Sequence, residues 1–371
     1  MDLRSPVNIV TRREIYPDLI DDFWFTESAL FARMRDKIVP FSGGTFTSSV
    51  FRFRPLIATH YKMGATHNIT KVQTLADSAF DMKFAQSSIP EFKEELEVYA
   101  KGENAVFSLL DEDLENGLAS VTDAISFALW GEGQTDDSMP NGLAEMIGDG
   151  VLPNWNGYVA TSYGGVTRNG DVGAAINGNI VWGGTATGKV GDINFPLMNY
   201  TYQLCSKGAE EPDLIIANRL GHTYMWNKME PQYRYVESVQ DPYWGGSGFR
   251  FRNAYVMVDE HAPSSAGLSD ANNYGLGNYL TGTINPNPVT TTKNFFPVVG
   301  NAATLDVGEV IFFLNTNRMV MRISDSAEYG FGFSGFMGTP DSEKVVGRIK
   351  VAYNFEGLGS RYQGVLFGIG G

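Results

Sequence analysis

Between Val106 and Leu129, apolar residues recur every three or four positions: Val106, Leu110, Leu114, Leu118, Val121, Ile125 and Leu129. That spacing lays one continuous apolar stripe along an α-helix. The helical stretch runs from 91 to 131, and the stripe predicts about seven turns, ~40 Å of helix at ~1.5 Å per residue. Gly131 and Gly133 close it. A helix this long exceeds the globular mean. It is expected to act as a spine on which other elements pack.

The segment before it has a different rhythm. Phe51-Arg52-Phe53-Arg54 alternates apolar and basic residues, and Phe80, Met82 and Phe84 alternate on the return. Between them Tyr61 to Lys71 is polar and turn-like, with Gly64 and Asn68. Residues 45–85 therefore predict a long β-hairpin. Its middle offers little to fill a core, and an isolated two-stranded ribbon is marginal in water. Such a ribbon needs its own body or a neighbour to lie on. Its basic residues, Arg52, Arg54, Lys62 and Lys71, read in two ways. They are either a solvated edge that discourages aggregation or a set of contacts between subunits. On the second reading Arg52 and Arg54 pair with acidic residues of an adjacent copy.

Ahead of the hairpin, Asp18 to Lys37 is helical in part, with Leu19, Phe23, Leu30, Met34 and Ile38 near helical spacing and Pro40 and Gly43-Gly44 as stops. Beyond the spine, 140–304 is rich in Gly, Asn and aromatic residues, with buried strands at Leu214–Ala217 and Ala254–Val258. Residues 262–306 form a long loop-like insertion. Four strands follow, Glu309–Leu314, Arg318–Ile323, Val345–Phe355 and Arg361–Phe367, expected to pair beside the spine helix.

Charge and cysteine content narrow the function classes. Asp and Glu number 42 against 28 Lys and Arg, a formal net charge of −14. A protein that grips nucleic acid through its phosphates needs a basic face, so that job is disfavoured, one local basic strip aside. Cys205 is the single cysteine, which leaves no intrachain disulfide and no cysteine zinc site. Met1 to Val10 lacks the apolar core of a signal peptide, and no apolar stretch approaches the ~20 residues of a membrane span. The expectation is a soluble protein made in a cytoplasm, without membrane contact.

Several motifs imitate catalytic sites. Gly183-Gly184-Thr185-Ala186-Thr187-Gly188-Lys189 has phosphate-loop spacing, but Val190 stands where Ser or Thr should hold magnesium. Gly191 to Pro196 are not expected to open the helix that such a cradle requires. The acidic run Asp111-Glu112-Asp113-Leu114-Glu115 lies inside the helix, where its carboxylates diverge around the axis instead of converging on calcium. His60, His67, His222 and His261 lack metalloprotease spacing, and there is no Gly-x-Ser-x-Gly elbow. His261 follows Asp259-Glu260 in what reads as a surface cluster at a strand end. No catalytic residue, cofactor or metal ligand is expected.

The order of arm, hairpin, spine helix, inserted Gly-rich region and returning strands resembles the major capsid protein of tailed bacteriophages, the Hong Kong 97-type fold. Short signatures along the chain are similar to that family as well. They are Asn141-Gly142-Leu143, Tyr163-Gly164-Gly165-Val166-Thr167-Arg168, Glu211-Pro212-Asp213-Leu214-Ile215-Ile216, Gly248-Phe249 leading to Val256-Met257-Val258-Asp259, and Phe313-Leu314-Asn315-Thr316. The resemblance implies an α+β fold with an N-terminal arm (1–44), an extended loop (45–85), a peripheral domain with the spine helix (86–140), an axial domain (141–305) and peripheral strands (306–371). It also implies a homo-oligomer of hexamers and pentamers, an icosahedral virion shell around double-stranded DNA bound without sequence specificity, and assembly in a host bacterial cytoplasm. A portal is implied as a partner. Because the arm begins almost at Met1, any scaffolding protein is expected to be a separate chain. Some relatives cross-link an extended-loop lysine to a peripheral asparagine; Lys62, Lys71 and Asn354 are the matching residue types. An encapsulin-like nanocompartment shell and a carbohydrate-binding module with exposed aromatics such as Tyr243-Trp244 are the alternatives.

Overall fold

A computed structural model describes residues 28–66, 70–92, 109–133, 137–152, 159–184, 191–229, 239–240, 247–259, 261–263, 309–338 and 344–370. Two mixed sheets organise them, six-stranded and eight-stranded.

The first sheet grows from one long strand, β17 (Lys344–Gly357). Along one edge it pairs antiparallel with β4 (Lys83–Phe92). The other edge takes β16 (Met337–Gly338), β15 (Gly330–Phe333) and β14 (Met319–Ser324) in turn. β1 (Ile38–Phe41) then adds parallel to β14. The spine helix, α2 (Leu109–Ala128), lies on β4 and β17. Gly117 marks the tightest approach, since a β-carbon there would stand 2.8 Å from Ile349 Cδ1.

The second sheet runs β10 (Val239–Gln240), β11 (Ser247–Phe251), β12 (Ala254–Val258), β9 (Leu214–Ala217), β13 (Glu309–Leu314), β18 (Gly364–Gly370), β7 (Asn179–Trp182), with β8 (Gly191–Asp192) beside β18. β9 and β13 are apolar runs buried on both faces, the signature of central strands. Leu214, Ile216, Phe312 and Val365 share one core with Val121, Ile125 and Leu129 of the spine region. Trp130 packs on Phe312 there, with 4.8 Å between ring centroids. Ile215, Ile311, Phe313 and Leu366 point to the other face, under Tyr202 and Cys205 of α5 (Phe195–Cys205) and Met225 of α6 (Arg219–Met229). Each large apolar side chain buried this way contributes roughly 1.5–3 kcal/mol.

The chain returns over the end of the spine helix. Leu143 N–H donates to Leu129 O at 2.8 Å and Ala144 N–H to Gly131 O at 3.2 Å, capping carbonyls that a helix end leaves open. Gly142 is required at this approach, because a β-carbon would stand 2.5 Å from Gly131 O. That accounts for the Asn141-Gly142-Leu143 signature. The helix α3 (Leu143–Met146) follows directly.

Several expectations are revised. All four C-terminal strands form, but only β14 and β17 join the sheet under the spine helix. β13 and β18 instead sit at the centre of the second sheet, against β9 and β7. Their residues are apolar on both faces, which suits a sheet covered on both sides. Leu118, counted in the apolar stripe, is exposed, while Val121 and Ile125 are buried. The helix turns Gly117 inward and carries Leu118 past the contact. Near the N-terminus, only α1 (Ala29–Arg35) is helical among the described residues. Ile38 and Pro40, read as the end of that helix and its stop, lie in edge strand β1, where Pro40 stands opposite Ile323. Leu19, Phe23, Val106, His67, Lys189, Tyr243-Trp244 and nearly all of 262–306 lie outside the described residues.

Candidate functional site

The hairpin is shorter than its sequence pattern. β2 (Phe46–Arg52) pairs antiparallel with β3 (Leu75–Asp81), from Phe46 opposite Asp81 to Arg52 opposite Leu75. Phe84, expected on the return strand, belongs to β4 and the first sheet. Beyond Arg52, Phe53 N–H still donates to Thr74 O at 3.1 Å, and the chain then runs to a turn in which Ala65 N–H donates to Lys62 O at 2.9 Å.

The inner face of the ribbon is seated on the body. Phe80 meets Tyr163 edge-on, with centroids 5.0 Å apart. Ala79 N–H donates to Gly164 O at 2.9 Å. Gly164 lies in the turn between β5 (Ser162–Tyr163) and β6 (Val166–Thr167) at φ +55°, and a β-carbon there would stand 2.8 Å from both Phe80 Cζ and Ser78 Cβ. The Tyr163-to-Arg168 signature is therefore the seat of the hairpin. Arg168 supports it from beneath. Its buried guanidinium donates to the carbonyls of Gly148, Ile176, Glu145 and Met146. At the ribbon's base, Glu356 is fully buried and accepts from the Thr47 hydroxyl, from Ser49 Oγ at 3.4 Å and from Arg322 Nε at 3.2 Å. A buried carboxylate is tolerated only with partners of this kind.

The outer face and the described residues toward the tip carry exposed apolar side chains. Phe46, Val50 and Leu75 are 53%, 69% and 51% exposed, and Leu56, Ile57, Tyr61 and Met63 beyond them are 62% exposed or more. Single exposed apolar residues need no explanation, but a group on one protruding element marks a contact surface. The pattern of basic residues in the sequence does not point to these seven. The available signal was the alternation of Phe46 and Val50 with Ser48 on one side of the strand.

The predicted basic residues all lie on this element, in different circumstances. Arg52 is exposed on the outer face, and Lys62 and Lys71 are exposed near the tip. None of the three forms an ion pair among the described residues. Arg54 does: its guanidinium is 2.8 Å from Asp171 of the same chain, and its Nε donates to Gln73 O at 2.9 Å. Asn354 is fully buried; its amide donates to Asp81 O and to Asn141 Oδ1, and its oxygen accepts from Asn141 N–H. His261, expected in a surface cluster, is enclosed between Asp123 and Asp259. His222 packs at a tilt against Phe249 with centroids 5.2 Å apart, and burial lowers its pKa. Among the described residues, no helix is long and apolar enough to cross a membrane.

No protein-family model matches the chain, and no curated protein matches it. Solved structures match over nearly its whole length. A cyanophage A-1(L) capsid chain is 11% identical at a TM-score of 0.62, covering 96% of this chain and 97% of that one. A capsid chain of the native GTA particle is 11% identical at 0.54, covering 99% and 100%. The SrpI encapsulin of Synechococcus elongatus is 11% identical at 0.52, covering 100% and 96%. What is shared at such identity is the fold: the α+β architecture described above is that of phage capsid chains.

Proposed function

We propose that this chain is a structural subunit, the major capsid protein of a tailed phage, whose copies form the hexamers and pentamers of an icosahedral shell of the Hong Kong 97 type around double-stranded DNA. The observation that carries the reading is the hairpin's exposed apolar outer face on a ribbon seated at its base. Similarity to capsid chains from end to end supports it. A second copy is the partner that such a face fits. Apolar burial at ~25 cal/mol per Å² supplies the affinity. Exposed ion pairs from Arg52, Lys62 and Lys71 add on the order of 0–1 kcal/mol each and set register. Arg54 would have to leave Asp171 to join them. Contacts of one surface with a different surface of the next copy close into rings when the rotation closes. On this reading the further partners are a scaffolding protein and a portal, the site of assembly is the host bacterial cytoplasm, and the chain has no catalytic role.

The encapsulin match favours a second reading, a nanocompartment shell, on the same fold. The two readings differ in what the shell encloses. Light scattering of the chain expressed with its genomic neighbours tests both: a mass far above 40.7 kDa is expected, and a monomer at all concentrations contradicts both. Assay of the particle contents for DNA or for a protein cargo then separates them.

A further inference from the structure

His261 joins elements that the two sheets do not. Its Nε2 lies 2.6 Å from Oδ1 of Asp123 on the spine helix α2, and the two side chains are 12% and 11% exposed. Its Nδ1 lies 3.6 Å from Oδ1 of the fully buried Asp259, which follows β12. The same Oδ1 accepts His261 N–H at 2.9 Å. The other oxygen of Asp259 accepts the Ser28 hydroxyl at 2.5 Å and Leu30 N–H at 3.1 Å. Ser28 is the N-cap of α1. One imidazole between two carboxylates thus ties the spine helix, the end of β12 and the start of α1 at a single point.

The charge balance of this point depends on one proton. Two carboxylates enclosed together repel, and only a doubly protonated imidazole offers an N–H toward each. Among the described residues, Asp123 from α2 and Asp259 from its own segment face the ring, and α1 meets Asp259 with an uncharged hydroxyl and an N–H.

We infer that Asp123–His261–Asp259 is a proton-dependent joint: charged, it fastens the spine helix to the end of β12; neutral, it loosens the spine helix while both sheets stay paired. Burial alone would lower the His261 pKa, but the hydrogen bond to Asp123 and the charges of Asp259 and Asp123 outweigh it and push the value up to about 9. The ordinary value is ~6.5. A raised value means that the stabilisation is complete below ~6.5 and is lost as pH rises through about 9. The joint is closed at neutral pH and opens in alkali. It does not depend on the shell reading.

Amide hydrogen exchange on the full chain from pH 7 to pH 10, corrected for intrinsic rates, tests it. Protection of α2 is expected to fall at least tenfold in a step near pH 9, with the β4–β17 ladder still protected. His261→Gln should show weak α2 protection at every pH and no step. Asp123→Asn should abolish the α2 step and leave α1 protected, since the Asp259–Ser28 contact remains. The proposal is overturned if wild-type α2 keeps its protection through pH 10, if it loses protection together with β4 and β17, or if the step survives in Asp123→Asn.

Discussion

The carboxylate of Asp213 holds Thr316 twice, accepting its backbone N–H at 2.7 Å and its hydroxyl at 2.5 Å. Thr316 opens the tight turn between β13 and β14, where the chain leaves the second sheet for the first. Asn315 beside it exchanges two bonds with Gln363, at 2.7 and 2.9 Å, where the chain crosses back into β18. Both crossings are therefore pinned together. Two short sequence signatures, one ending β9's approach and one ending β13, are the two halves of this lock.

Removing the hydroxyl leaves a partly enclosed carboxylate short of one donor. Thr316→Val should lower unfolding stability by about 1.5–3 kcal/mol, the range for a hydrogen bond to a charged group. Thr316→Ser should retain most of it. Urea denaturation midpoints of the three proteins provide the comparison.

Gly164 tests the seat of the hairpin. Alanine there must adopt φ +55° and place its β-carbon 2.8 Å from Phe80 and Ser78. Left-handed backbone costs roughly 1–2 kcal/mol for a residue with a β-carbon, and the contact adds to it. Gly164→Ala is expected to loosen β3 and raise the rate of limited proteolysis between residues 53 and 74. Gly165→Ala, whose β-carbon would meet nothing within 4 Å, should have the smaller effect. Equal cleavage of the two variants would argue that the hairpin is held elsewhere.

Cys205 reports on the core under α5. It is fully buried, and burial pushes its thiol up to about 12, against smaller opposite effects of Asn179 and Lys207. A rise of that size from the usual range lowers the thiolate fraction at pH 8 by about a thousandfold. Iodoacetamide at pH 8 should leave the folded chain unlabelled and react fully in denaturant. Rapid labelling without denaturant would contradict the burial.

Much of this was legible in the sequence, and the gaps have physical causes. Spine helix, buried strands and hairpin follow from periodicity, which reports the face that each residue turns to the core. Sheet membership does not follow from it. β13 is apolar after Glu309 and β17 alternates apolar with charged residues over its first half, but nothing in Glu309–Leu314 says that its partners are β9 and β18. The hairpin's site was read from its charges, because Arg52 and Arg54 alternate visibly with Phe51 and Phe53. The structure gives Arg54 a partner in its own chain and shows the exposed apolar residues on the outer face and tip. Whether a given Phe faces in or out of a two-stranded ribbon depends on what lies beneath. For Phe80 that is Tyr163, some eighty positions away, beyond the reach of local pattern.

The outer face of the hairpin can be altered without touching its seat. Phe46 and Val50 are 53% and 69% exposed, so a Phe46→Asp, Val50→Asp double variant should unfold within about 0.5 kcal/mol per site of wild type. Its effect should fall on association instead, where two carboxylates would be forced into an apolar contact. Circular dichroism and light scattering on the same samples separate the two effects.

Electron microscopy of the full-length protein, expressed alone and together with its genomic neighbours, tests the shell assignment most directly. Closed shells of uniform size are predicted for the wild type, and dispersed subunits for the Phe46→Asp, Val50→Asp variant. Dispersed 40.7 kDa monomers in both expressions of the wild type, or normal shells from the variant, would contradict the account of the hairpin as the contact between copies.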